Sequence, residues 1–294
     1  MATWFLFAFG SAIMQSCVSA LSKRAVDLRQ YSKVAVSFIA IATASIILFL
    51  ISYFIKGLPE LQDGFWKAVF ITGSLNIVMF PLTLKAFEYG EYSSVYSMSL
   101  ATPIFLLLTS WIFLGEVPPL YGMIGVTLTV IGLIVVTINR KGEVEATNPV
   151  LGNMMGLAVA LMGSISVNFD KIATLSSDRF FAPACITGFM AIGYVTYLVI
   201  GRKPILARRN EIPGIFIFSG IAVLLLLGLA QALNNIFYNY ALTLGFASYT
   251  IAVKRISVIF GVIWAWLFFR EKNISKKLFG AGVAILGVLL ILLS

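Results

Sequence analysis

The chain contains no histidine, and only 2 of its 294 residues are cysteine. Without histidine, imidazole-based acid–base chemistry and His-ligated zinc are excluded. Cys17 and Cys185 fall inside apolar runs and read as small apolar residues, so neither a disulfide nor a metal site is expected. Charge is scarce at 11% of residues, and acid is scarcer still, with 12 Asp and Glu against 21 Lys and Arg. No nucleophile–base pair or metal constellation is visible, so an enzyme is not expected, and no cofactor. What fills the chain is apolar: 60% hydrophobic residues, a mean hydropathy of +0.98, and 5 Trp, 11 Tyr and 24 Phe. That composition belongs to an all-α integral membrane protein of multi-pass type, in a plasma or inner membrane, with lipid as its surroundings. The formal charge of +9 sits mostly in short loops. It therefore reads as a topology signal rather than a nucleic-acid footprint.

Ten apolar segments are predicted as spans: 4–21, 34–55, 65–87, 92–114, 120–139, 150–169, 180–200, 213–242, 246–269 and 275–293. The first lacks a basic leader and a small-residue cleavage site, so it is expected to be a span rather than a removable signal. Every connection is short, and no soluble domain fits between them. Fifteen of the 21 Lys and Arg lie at loops one, three, five, seven and nine. The positive-inside rule then places those loops in the cytoplasm and both termini outside it.

The chain also repeats itself. Adding 155 to positions 86–134 gives a gapless match that pairs Gly90 with Gly245, Trp111 with Trp266, Glu116 with Glu271, Gly125 with Gly280 and Gly132 with Gly287. Nearer the front, an offset of 148 pairs Ser16 with Ser164 and Lys23 with Lys171. Two five-helix repeats, 1–146 and 147–294, follow. Because five is odd, the second repeat enters the membrane upside down. Inverted repeats are typical of secondary transporters, whose substrate site lies near the midplane between the halves.

Each repeat joins its fourth and fifth spans by a tight turn, Leu114-Gly115-Glu116-Val117-Pro118 and Phe269-Arg270-Glu271-Lys272-Asn273, followed by Gly-spaced apolar helices. With ten spans and short loops, the chain resembles the drug/metabolite transporter superfamily, and its ten-helix EamA-like branch in particular. The second turn departs from the Gly-Glu form by carrying Arg270. The resemblance implies a transporter fold and leaves the substrate open. Val253-Lys254-Arg255-Ile256-Ser257 also looks like the Lys-Arg stretch of the ninth helix in plastid triose-phosphate translocators, where the dibasic pair binds phosphate.

Lys254 and Arg255 fall near the middle of a span that reads as one continuous helix from Phe246 to Phe269. A central Lys or Arg costs roughly 2.5–3.5 kcal/mol on insertion scales. A snorkelling or internally ion-paired couple is one explanation, and an anion-facing site in a water-filled cavity is the other. Their partners at the 155 offset are Ser99 and Leu100, so the fold itself does not require charge there. The eighth span offers Gln231, Asn234, Asn235 and Tyr238; Gln231, Asn234 and Tyr238 can share a face. Asn76 matches Gln231 at the offset, and Tyr96 and Tyr249 are further candidates for substrate contact. Amide bonding between helices is the structural alternative for each Asn. Pro81, Pro103 and Pro183 sit inside predicted spans, as ordinary membrane proline or as hinges. Glu116 and Glu271 are expected to stabilise adjacent helix ends. The glycines of the fifth and tenth spans are expected to allow close packing, with a homodimer as an alternative use.

No acidic residue falls at mid-membrane in this reading, and Asp170 lies just beyond the end of a predicted span. Deep cations without deep acid favour a small-molecule substrate that is anionic or zwitterionic, and exchange or facilitated movement over proton antiport. The expected function is a secondary transporter of a small organic anion or zwitterionic metabolite by alternating access. The alternatives are an exporter of amino acids or other small metabolites, a translocase for lipid-linked phosphates, and a non-transporting membrane scaffold.

Overall fold

The structure is a computed structural model that describes residues 3–27, 31–90, 92–137, 147–200, 214–260 and 274–294. Its elements are α1 (Thr3–Asp27), α2 (Lys33–Lys56), α3 (Phe65–Tyr89), α4 (Tyr92–Ser99), α5 (Thr102–Leu114), α6 (Leu120–Thr137), α7 (Pro149–Leu175), α8 (Phe181–Ile200), α9 (Gly214–Leu244), α10 (Ala247–Lys254) and α11 (Ile274–Leu293). No strand occurs among the described residues. Seven described segments are long and apolar enough to cross a membrane, and Leu120–Val136 and Phe279–Leu293 are shorter apolar helices.

The distribution of side chains is that of a bilayer protein. Leu6, Phe54, Leu108, Ile112, Tyr121 and Leu293 point outward, while Ser11, Thr72, Ser166, Asn168, Asn234 and Asn239 are buried. Lipid accepts the apolar exterior, and the interior polar groups bond across helices. This explains why α7 runs to Leu175 rather than stopping at Phe169. Asn168, Asp170, Lys171 and Thr174 lower the hydropathy of its last turns, but those residues meet protein, so the helix continues.

Helices of the two repeats interlock pairwise. The first of one packs on the third of the other (α1 with α9, α7 with α3), the seconds meet each other (α2 with α8), and so do the fifths (α6 with α11). The α6–α11 contact carries the repeat register into space. A Cβ on Gly125 would meet the Gly287 carbonyl at 2.6 Å, and one on Gly280 would meet the Gly132 carbonyl at 2.7 Å. Since 125 matches 280 and 132 matches 287, these are one contact repeated by a pseudo-twofold. Only glycine permits that approach of backbones.

The fourth span of each repeat is broken, contrary to the continuous helix expected over 246–269. In the first repeat, α4 stops at Ser99 and α5 restarts at Thr102 with Pro103 in its first turn. In the second, α10 stops at Lys254 and helix resumes at Ser257. The bonding matches across the offset: Ala101 N donates to Met98 O at 3.1 Å and Ile256 N to Val253 O at 3.0 Å. Proline accounts for the first break, because its ring would clash with the carbonyl four residues back. Val258 occupies the equivalent place in the second repeat, so that break comes from the packing the repeats share rather than from a local breaker. Pro183 likewise lies in the first turn of α8, where its missing N–H is tolerated, and of these three prolines only Pro81 is truly inside a helix.

Candidate functional site

Both breaks face a cavity of about 550 Å³ between the repeats. Its walls obey the same offset. Asn76 and Gln231 line it as partners, as do Thr83 and Tyr238, Leu84 and Asn239, Phe80 and Asn235, Tyr96 and Ile251, and Thr102 and Ser257. The chemistry of the partners differs. Where the first repeat presents Phe80, Thr83 and Leu84, the second presents Asn235, Tyr238 and Asn239, with Lys254 and Arg255 beside them. The cavity is therefore symmetric in backbone and one-sided in polarity.

Lys254 and Arg255 are half-buried at the helix break, and neither joins an ion pair among the described residues. The Lys254 ammonium lies 4.0 Å from the centroid of the Tyr238 ring, a cation–π contact. Arg255 Nη2 donates to Thr102 Oγ1 at 3.4 Å, a long bond that leaves the other donors of the fork to the cavity. Asn235 Nδ2 makes no hydrogen bond within the described protein.

Of the residues expected at the site, Lys254, Arg255, Tyr238, Asn235, Gln231, Asn76 and Tyr96 line the cavity. Asn234 and Tyr249 do not. Asn234 turns toward α1, where Ser11 Oγ donates to its Oδ1 at 2.8 Å and its Nδ2 donates to Gln15 Oε1 at 3.0 Å. The cavity face of α9 thus runs through Gln231, Asn235 and Tyr238, one residue round the helix from the face expected. Tyr249 is buried on the far side. Its ring packs tilted against Trp4 and edge-on to Phe246, its hydroxyl lies 3.0 Å from Ser294 Oγ, and Gly122 supplies the space it occupies.

Asp170 is the residue the sequence reading set aside. It lies well inside α7 and lines the cavity. Thr72 Oγ1 donates to its Oδ1 at 2.6 Å, and Tyr238 OH donates to its Oδ2 at 3.1 Å. Asn76 Nδ2 donates to Ser166 Oγ at 2.8 Å, extending the network by one turn on both α3 and α7. The expected absence of a deep carboxylate therefore does not hold. The helical spacing of Thr72/Asn76 and Ser166/Asp170 is the signal that could have found it.

A clasp joins the repeats next to Asp170, outside the cavity lining. Gly115, with φ +68°, ends α5 in the left-handed conformation and turns Glu116 back toward the second repeat. Lys171 Nζ donates to Glu116 Oε1 and, at 2.7 Å, to the Gly245 carbonyl. Glu116 Oε2 accepts the Ala247 N–H at 2.8 Å. Glu116 thus caps the N-terminus of α10, as expected of an acid at a helix start. Glu271 lies outside the described residues. The cavity also adjoins a smaller pocket, sharing Ile41, Phe80, Leu84 and Gln231 with it. That pocket reaches Val26 and Val36 near the first basic loop.

Inverted five-helix repeats around a polar cavity define a membrane transporter of small molecules. The chain belongs to the EamA-like transporter family, which it matches over residues 2–138 and 150–293. A crystal structure of a protein 11% identical in sequence superposes with a TM-score of 0.78, covering 99% of this chain and 98% of that one; at this identity it bears on the fold alone. No protein with a curated description matches.

Proposed function

We propose that the protein moves a small organic anion or zwitterion by alternating access, with the substrate's anionic group on Lys254 and Arg255. One observation carries this reading. The repeats share a backbone, yet only the second carries charge at the helix break, and that charge faces a cavity with no counter-ion in contact among the described residues. A scaffold would instead seal such a pair against acid. Arg supplies a planar fork and Lys a compact charge, a combination suited to carboxylate or phosphate. Asn235, Gln231 and Asn76 are placed to orient the rest of the substrate. The Glu116–Lys171 clasp serves as the closed gate, and the face bearing the basic loops is the open one.

The test is a stabilisation screen of the purified protein with organic phosphates, carboxylates and amino acids, followed by liposome uptake of the best compound. Hydrogen bonds to charged groups are worth roughly 1.5–3 kcal/mol. Lys254→Ala and Arg255→Ala should accordingly weaken binding by about ten- to a hundredfold with the fold retained. Arg255→Lys should rescue only in part, since the fork is lost. Equal uptake by wild type and both alanine variants, at matched melting temperature, would remove the basic pair from transport.

A further inference from the structure

We propose that Asp170 carries a proton that travels with the anion, so that substrate binding at the basic pair and protonation of Asp170 are linked. This rests on the reading of Lys254 and Arg255 as the anion site. Asp170, Lys254 and Arg255 are the three charged residues in the described cavity wall. Tyr238 stands between the acid and the amine, with its hydroxyl on Asp170 and its ring beneath Lys254.

The surroundings of Asp170 contain little else that can hold charge. Toward the cavity, α3 offers Thr72 and Asn76; α9 offers Tyr238 and Asn239; α4 offers Tyr96; α8 offers Tyr194. No charged group on α1 or α5 lines the cavity. Lys171, next in sequence, is turned away onto Glu116 and Gly245. Lys254 and Arg255 are therefore the cations that face the carboxylate.

Charge balance supplies the coupling. The empty cavity holds two positive side chains and one negative. A bound anion occupies the two cations and leaves the Asp170 carboxylate as an uncompensated negative charge in the same low-dielectric cavity, which one proton removes. The anion also neutralises the positive field that favours the ionised carboxylate, so a proton follows it onto Asp170. That proton comes from water on the side where substrate enters. It bonds to a carboxylate oxygen and leaves to water on the side of release.

Sulfate is a suitable probe of the linkage, because it contacts cations as substrate anions do and has no titration of its own near neutrality. Sulfate would be added to the purified full-length protein in weak buffer, with a pH indicator reading proton uptake and thermal stabilisation reading binding. Wild type should take up as much as one proton per protein, and its sulfate affinity should rise by up to about tenfold per pH unit on acidification. Asp170→Asn should bind sulfate without proton uptake and without that pH dependence, and Asp170→Glu should restore both. Sulfate binding by wild type with no proton uptake between about pH 5 and pH 8 would overturn the proposal and leave the anion site standing. No sulfate binding by wild type, or equal binding by Lys254→Ala and Arg255→Ala, would overturn the anion site and the linkage together.

Discussion

Asn234 and Asn235 are neighbours in sequence with opposite tasks. Asn235 lines the cavity, whereas Asn234 is 1% exposed and bonded to Ser11 and Gln15 of α1. Asn234→Ala should lower the melting temperature, by an amount equivalent to roughly 1–3 kcal/mol, since it leaves the buried Ser11 hydroxyl and the half-buried Gln15 amide without their partner. Ligand affinity measured on the folded fraction should change little, because the side chain does not reach the cavity. A loss of affinity at unchanged stability would place Asn234 at the site after all. The same pair shows where sequence reading stops. Spacing says which residues of a helix share a face, and it selected α9 correctly as a polar wall. It does not say which face meets the cavity, since a step of one residue turns the side chain by about 100°. Asp170 was missed for a related reason: hydropathy ended the span at Phe169, one residue short of it.

The second broken helix and the clasp are joined physically. Glu116 holds the first N–H of α10, and α10 ends at the basic pair, so two turns of helix connect the clasp to Lys254 and Arg255. Glu116→Gln keeps the shape of the side chain and removes the charge that holds Lys171. In a protein whose Cys17 and Cys185 are replaced by Ser, a single reporter Asn76→Cys can be labelled by an impermeant maleimide from either side of sealed vesicles. The otherwise unaltered protein should label from the face of the basic loops, and the Glu116→Gln form from both faces. Unchanged sidedness would rule the clasp out as a gate. The break itself was half legible. Pro103 marks it in the first repeat, and the 155 offset carries it to Lys254–Arg255, where no proline stands.

At the scale of the molecule, ten spans, the inverted repeat and the close glycine packing were all written in periodicity and register, because lipid requires apolar runs and close helix contacts require small residues. Register does not record which side of the membrane is which. That depends on loop charge, and fifteen of the 21 basic residues fall at the odd-numbered loops of the ten predicted spans. A reporter fused after Ser294 and active only outside the cytoplasm should therefore be active, and activity of a cytoplasm-only reporter at the same place would reverse the orientation.

Duplication gives each wall residue a twin seat in the other repeat, the same position turned upside down. Ser99 and Leu100 are the uncharged twins of Lys254 and Arg255. Leu100 is fully buried in the core with Leu133 and Ala284, and neither twin lines the cavity, so the second seat is closed to charge. An anion bound at the basic pair would therefore have one orientation in the membrane, set by which repeat carries the charge.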